Sequence, residues 1–151
     1  MAITITTAMP TSFKVEILKA VHNFTASTGN TFKIALFKAT AAGSGTFGAA
    51  TTNYSDMGTD ELPTATGYTQ PGETLSQVTP TSSGTTAFTD FADVTWSSAT
   101  FTTCGALIYN SSASGAACAV LSFGGDQSVS SGDFTIQFPA ATASTAIIRI
   151  A

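Results

Sequence analysis

His22 is the only histidine in the chain and the first residue to ask about chemistry. Nucleophilic triads and zinc centres both rely on imidazole. A zinc site takes three or four His, Cys or carboxylate ligands. His22 has no second histidine to join it and no glutamate at metal-binding spacing. It falls on a stretch of helical periodicity beside the apolar stripe, so a structural or surface role is expected. Asp90 and Asp93 are the one close carboxylate pair on a strand-like run. Such a pair can cleave glycosides if one pKa is raised in a sugar cleft, or bind Ca²⁺ together with backbone carbonyls. No D-x-D-x-D-G loop supports the second, and a solvated strand end or turn cap is expected instead. Gly124-Gly-Asp126 lacks the lysine and the following helix of a phosphate loop, and reads as a hairpin turn. Tyr54, Tyr68, Tyr109 and Trp96 are able to stack on sugar rings, but aromatic residues in this number also suit an ordinary core. No catalytic, cofactor or metal site is expected from these residues.

The two cysteines, Cys104 and Cys118, fit a reducing compartment. If a hairpin closes at 110–115, a turn centred on Ser112 or Ala113 puts both thiols on one face. A turn centred between those residues puts them on opposite faces. Two small buried thiols are the expected state, because free Cys packs as a hydrophobe.

Composition points away from acid–base catalysis. Only 9% of the 151 residues are charged, while Ser and Thr make up about 30%. Soluble chains carry about 25% charged residues, so this surface is covered by hydroxyls and small side chains. That suits quiet surfaces or life inside an assembly. The net charge is −4, and Lys14, Lys19, Lys33, Lys38 and Arg149 are thinly spread. Nucleic-acid binding needs clustered cations and is not expected. Four of the five cations precede residue 40 while most acids follow residue 55, a lopsidedness that would favour head-to-tail contact between subunits. No signal peptide and no 18-residue apolar span is visible, so synthesis in a cytoplasm is expected.

The elements follow from periodicity. Residues 2–7 alternate and are β-branched, which suits a short strand or an extended arm. Phe13, Ile17, Val21 and Phe24 recur at about four-residue steps after Pro10, with Thr11 or Ser12 as N-cap, and predict an amphipathic helix of about three turns. Residues 31–38 predict a strand with Phe32, Ile34 and Leu36 on one face and Lys33 and Phe37 on the other. Residues 40–73 show little periodicity. A loop this long is usually functional or a partner contact, and its 66–75 stretch, with Tyr68 between two glycines, is read as a protruding contact or as a simple connector. From residue 74 consecutive strands are expected at 75–79, 86–96 with a break near Asp90–Asp93, 101–109, 116–123, 133–138 and 146–150. Turn signals lie between them at Ser83-Gly, Ser97-Ser-Ala, 110–115, Gly124-Gly-Asp and Ser131-Gly. The prediction is one mostly β domain over 1–151, an antiparallel, jelly-roll-like β-sandwich with one N-terminal amphipathic helix. Phe13, Ile17, Val21, Ile34, Leu36, Phe88, Val94, Leu107, Val120, Phe134, Ile136 and Ile148 are expected to be mostly core.

Several stretches together resemble a known family. They are residues 3–24 with Met-Pro-Thr-Ser-Phe-Lys-Val-Glu-Ile-Leu, the Thr66-Gly-Tyr segment through Leu75, and Ala87-Phe-Thr-Asp-Phe-Ala-Asp-Val-Thr-Trp running into Gly105-Ala-Leu-Ile-Tyr-Asn. The closing Phe134-Thr-Ile-Gln-Phe-Pro and Ile147-Ile-Arg-Ile also fit. In overall pattern the chain resembles small virion structural proteins of tailed bacteriophages, of the capsid cement or decoration type. The resemblance implies a non-enzymatic homo-oligomer, commonly a trimer, on the exterior of the capsid. It would be bound to the major capsid protein and bridge neighbouring capsomers, with no cofactor, nucleic acid or membrane as partner. A tail or spike component that binds a host receptor or glycan is the alternative. Low charge agrees with such a role, because little desolvation energy is lost on burial against a partner. Arms and edge strands are able to pair with a neighbour's sheet. Ile3, Ile5, Tyr54, Tyr68 and Pro71 are the expected subunit contacts.

Overall fold

The computed structural model describes residues 1–151. Strands dominate: β1 (Thr4–Ile5), β2 (Phe32–Lys38), β3 (Thr46–Phe47), β4 (Glu73–Thr74), β5 (Gln77–Ser83), β6 (Thr86–Phe91), β7 (Val94–Asn110), β8 (Ala116–Ile136) and β9 (Ile148–Ile150). One α-helix, α1 (Thr11–Leu18), lies between β1 and β2. A four-stranded sheet has the order β4-β2-β7-β8 and a three-stranded sheet the order β5-β6-β9, both antiparallel. A short parallel pair, β1-β3, completes the set. No helix is long and apolar enough to cross a membrane.

β2 shows how the sequence builds this arrangement. Period-2 alternation sends Phe32, Ile34 and Leu36 into one hydrophobic core and Ala35 and Phe37 into a second, and all five are 0% exposed. The four-stranded sheet is therefore buried on both faces around β2, while residues 124–135 of β8 are largely exposed. The first core adds Ile108 and Cys118 from the same sheet, Phe91 and Ile148 from the three-stranded sheet, and Phe13 and Phe24 from around α1. The Phe24 and Phe32 rings stack there at 4.3 Å. The second core packs Ile3, Phe47 and Met57, from the N-terminal segment and residues 40–60, against Leu107, Tyr109 and Val120 of the sheet. Each large apolar side chain removed from water contributes about 1.5–3 kcal/mol.

Four expectations are corrected. The helix spans eight residues, not three turns, and its first residue is Thr11, preceded by Pro10 with no side-chain cap. It ends in a Schellman motif: Ala20 takes φ 58°, its amide bonds the Ile17 carbonyl, and the Val21 amide bonds the Glu16 carbonyl. Val21 consequently points outward, 37% exposed, and is no core residue, and Ile17 is half-buried. Second, of the two readings of residues 2–7 the structure shows the short strand, β1, and not the extended arm: the Ile3, Thr4 and Thr6 amides bond the carbonyls of Thr40, Gly45 and Phe47.

Third, Ser97-Ser-Ala, Gly124-Gly-Asp and Ser131-Gly are not turns. They are irregularities inside two long strands paired as one hairpin, where the register shifts between Trp96 and Ala99, between Ala99 and Phe101, and between Thr103 and Gly105. Ser98, Gly124 and Ser131 adopt positive φ there, which a bulge and a turn can both demand. Fourth, the 66–75 stretch does not project Tyr68 outward: Tyr68 and Leu75 are 1% and 3% exposed. The longer 40–73 segment contains 3-10 segments at Thr40–Ala42 and Tyr54–Asp60 and folds back against the sheet, with the Leu62 amide on the Leu36 carbonyl. The hairpin turn expected at 110–115 and the break between Asp90 and Asp93 stand as expected.

Candidate functional site

His22 lies beyond the helix and not on it. The chain reversal at Ala20 brings its ring back over Glu16, and its side chain is fully buried. Nε2 stands 2.8 Å from Glu16 Oε2, and Nδ1 stands 3.0 Å from Asn110 Nδ2 and 3.8 Å from Cys118 Sγ. Cysteine, imidazole and carboxylate in this order resemble a nucleophile, a base and its orienter. The hydrogen bonds say otherwise. Asn110 Oδ1 accepts from the Ser112 and Ala113 amides, which fixes its amide orientation and makes Nδ2 the donor to His22 Nδ1 and to Asn30 Oδ1. The imidazole lone pair is thereby taken, and Nε2–H donates to Glu16. Burial, reinforced by the Glu16 charge, pushes the Cys118 thiol far up, so no thiolate forms there near neutrality. The cluster ties α1 and residues 22–30 to the end of the β7-β8 hairpin.

A second polar cluster lies along the edge of β2, where Glu61 bridges Phe37, and it draws Tyr68 from the first core and Tyr54 from beside the second. Glu61 is 5% exposed, and the hydroxyls of Tyr54 and Tyr68 both donate to its carboxylate, the Tyr68 bond measuring 2.8 Å. Tyr68 Oη also accepts from the Leu36 amide at 3.1 Å. The Tyr54 ring stacks on Tyr109, centroids 4.6 Å apart, and Tyr109 donates to the Pro71 carbonyl. Burial and the Glu61 charge push all three phenols up, Tyr109 to about 12, so they remain neutral donors. Asn53 caps the Tyr54 turn through a capping box with Asp56 and donates to the Ser114 carbonyl.

The other candidates are also bound to backbone. Asp90, 1% exposed, accepts from the Phe91 and Ile147 amides, and burial raises its pKa. Asp93 accepts from the Phe138 amide. The pair thus clamps the segment leading into β9, and no group of three or more His, Cys, Asp or Glu is placed to hold a metal. Asp126 accepts from both the amide and the hydroxyl of Thr40, and those bonds lower its pKa.

The thiols face opposite ways. Pairing of Asn110 with Ala116 and of Tyr109 with Ala117 turns Cys118 to the first core with Ile108 and Ala106, the face on which unbroken alternation would also put Cys104. The register shift between Thr103 and Gly105, present against both β2 and β8, sends Cys104 to the second core instead. Both are free and buried.

Of the five expected contacts, Tyr68 and Ile3 are 1% and 5% exposed, so both are core residues whose side chains no partner can reach. Ile5 and Tyr54 are half-buried, and Pro71 is exposed. What sequence reasoning missed is an apolar surface elsewhere. Leu18, Ile150 and Val15 are 88%, 58% and 45% exposed. Ile150 lines an open groove of about 490 Å³ between the 17–24 segment and the three-stranded sheet, and Leu18 lines a cavity beside it. A second open groove, about 570 Å³, is lined by Leu121, Phe123, Phe134, Phe138 and Pro139. The expectation that the helix continued to Phe24 concealed the first, because it assigned Val21 inward. No family model, no curated protein and no solved structure matches the chain.

Proposed function

We propose that this chain is a non-enzymatic structural protein of a tailed-phage virion. In this reading it is a cement protein that binds the major capsid protein on the outside of the shell and bridges neighbouring capsomers. The protein acts as a homo-oligomer, trimeric by analogy with the family it resembles. Its two antiparallel sheets then constitute a jelly-roll-like sandwich around the shared first core.

One observation carries the reading: the direction in which polarity is spent. His22, Glu61, Asp90 and Cys118 are turned inward, and His22, Glu61 and Asp90 hold segments of the chain in place. The outer surface offers hydroxyls and a few large apolar side chains. Such a surface suits burial against another protein, where few charges need desolvating. Ile5, Tyr54 and Pro71 are the members of the original contact set that a neighbour can reach.

Quantitative mass spectrometry of purified virions carrying this chain tests the reading. A ratio near one subunit per major capsid protein is the expected result. A ratio of a few per cent moves the chain to the tail or spike, where receptor or glycan binding becomes the leading function. Complete absence from virions ends the structural reading.

A further inference from the structure

β9 belongs to its sheet through one neighbour only. It pairs with β6, Ile150 on Ala87, Arg149 on Phe88 and Ile148 on Thr89. Open space lies against both of its faces. A groove of about 490 Å³ and a cavity of about 210 Å³ meet Ile148 and Ile150, and a groove of about 420 Å³ meets Arg149. Residues 137–147, which lead to β9 from β8, hold no strand or helix. The backbone bonds of that segment stay inside it: the amides of Thr142, Thr145 and Ala146 reach only the carbonyls of Ala140 and Thr142. The bonds of the Arg149 guanidinium to the Ala143 and Ser144 carbonyls travel with β9. Two aspartates make the polar ties to the rest of the chain. Asp93 accepts from the Phe138 amide, and Asp90, on β6, accepts from the Ile147 amide.

The seat of β9 is therefore built by the body of the domain and not by the linker. It consists of the Ala87–Thr89 edge of β6, the Asp90 carboxylate and the first core, where Ile148 joins Phe13, Phe24 and Phe91. Each of these contacts is equally open to β9 of a second copy. Residues 139–146 reach about 26–29 Å when extended, comparable with the ~30 Å width of a small domain. We propose that β9 exchanges between copies: the strand of one chain completes the three-stranded sheet of the next, with its Ile147 amide on that chain's Asp90. The seat fixes the occupant, because it already holds this sequence in register. Only the closed chain must fold its linker back into the turn at Thr142, and the exchanged form repeats the other contacts while that turn opens. Reciprocal exchange closes a dimer, and exchange passed from copy to copy closes a ring or runs on as an open chain. The exchange would link the homo-oligomer of the proposed function but does not rest on a virion role, and the isolated protein tests it.

Disulfide trapping decides it. Ala87 and Ile150 face each other across β6 and β9 and are both exposed, so a cysteine at either disturbs no core. The native thiols, Cys104 and Cys118, are buried. Ala87→Cys and Ile150→Cys are made in separate chains, mixed and held at high concentration, then diluted and oxidised. A disulfide joining position 87 of one chain to position 150 of the other is expected, read by mass spectrometry after digestion. Its yield is expected to exceed at least about tenfold that from Ala87→Cys mixed with Arg149→Cys, because position 149 points to the opposite face of the strand. The two changes Ala87→Cys and Ile150→Cys placed in one chain and oxidised at low concentration are expected to bridge within that chain. This pins β9 to its own β6 and leaves a monomer where the unaltered chain associates in sedimentation velocity. Equal yields from the two mixtures overturn the proposal. So does a pinned chain that associates as the unaltered chain does, or an unaltered chain that stays monomeric at every attainable concentration.

Discussion

The four-stranded sheet is flanked by two buried polar networks, which are satisfied by different means. On the first face the network is amide-rich and joins segments far apart in the chain. His22 and Glu16 sit six residues apart, with Asn110 and Asn30 completing the set. One member, the Glu16 side chain, keeps 25% exposure and so retains access to water. Along the edge of β2 the network has a carboxylate at its centre. Glu61 relies on two phenols, one of which also serves the Leu36 amide of β2. A buried charge that loses a donor has no solvent to replace it, whereas a network with an exposed member can relax. The β2-edge network is therefore the more brittle, although its residues come from the stretch that looked least structured in the sequence.

Breaking the second network gives the largest expected effect. Tyr68→Phe removes a donor from Glu61 and the acceptor of the Leu36 amide at one stroke, while keeping the ring in place. Destabilisation of about 2–4 kcal/mol is expected in urea unfolding. Tyr68→Ala adds a cavity and is expected to prevent folding outright. This reverses what a protruding Tyr68 would imply, namely weakened assembly with folding untouched.

The counterpart on the first face is Asn110→Ala. It strips partners from His22 Nδ1, Asn30 and two amides of the hairpin turn. The turn is exposed at Ser112, so water replaces part of the loss, and about 1–3 kcal/mol is expected. If Asn110→Ala costs more than Tyr68→Phe under the same conditions, the ranking of the two networks is wrong.

These outcomes mark where the sequence was readable. Alternation in β2 was legible because both of its faces are buried and large apolar residues occupy the first. The break at Asp90–Asp93 was legible because the strand pattern fails there. Other features depended on information that residue types do not carry locally. Gly124 and Ser131 satisfy a bulge as well as a turn. The orientation of Cys104 turns on a register shift between Thr103 and Gly105. The burial of Tyr68 depends on a carboxylate seven positions away, whose own burial is a tertiary event. Of the polar clusters, His22 was singled out but its partners were not, because the helix was expected to run through it.

Acid titration separates two aspartates of opposite sign. The folded pKa of Asp90 is raised, chiefly by burial, so the folded state holds its proton more tightly than the unfolded chain does. Asp90 therefore subtracts stability above its folded pKa, and that penalty is relieved as pH falls toward the unfolded value. Asp126 is lowered by its bonds from Thr40, so its contribution is present above the unfolded pKa and lost as pH falls through the folded one. Asp126→Asn is expected to flatten acid destabilisation, whereas Asp90→Asn is expected to steepen it. Melting temperature against pH from neutral to the carboxylate range reads both. Parallel shifts in the two variants would contradict the assignment.

The smallest expected effect bears on the first face alone and has the opposite direction. The His22 network exists because the chain reverses at Ala20, in a left-handed conformation that L-residues adopt at a cost of about 1–2 kcal/mol. Glycine takes that conformation without strain but loses more entropy on folding. The balance favours Ala20→Gly by about 0.5–1 kcal/mol. The gain requires that the Schellman end be as rigidly specified as the His22–Glu16 contact makes it. In Asn110→Ala, where His22 is loosened, the same Ala20→Gly change is expected to gain less. A double-mutant cycle reads that coupling directly. Equal gains in both backgrounds would mean that the helix end is fixed by its own backbone bonds and that His22 follows it passively.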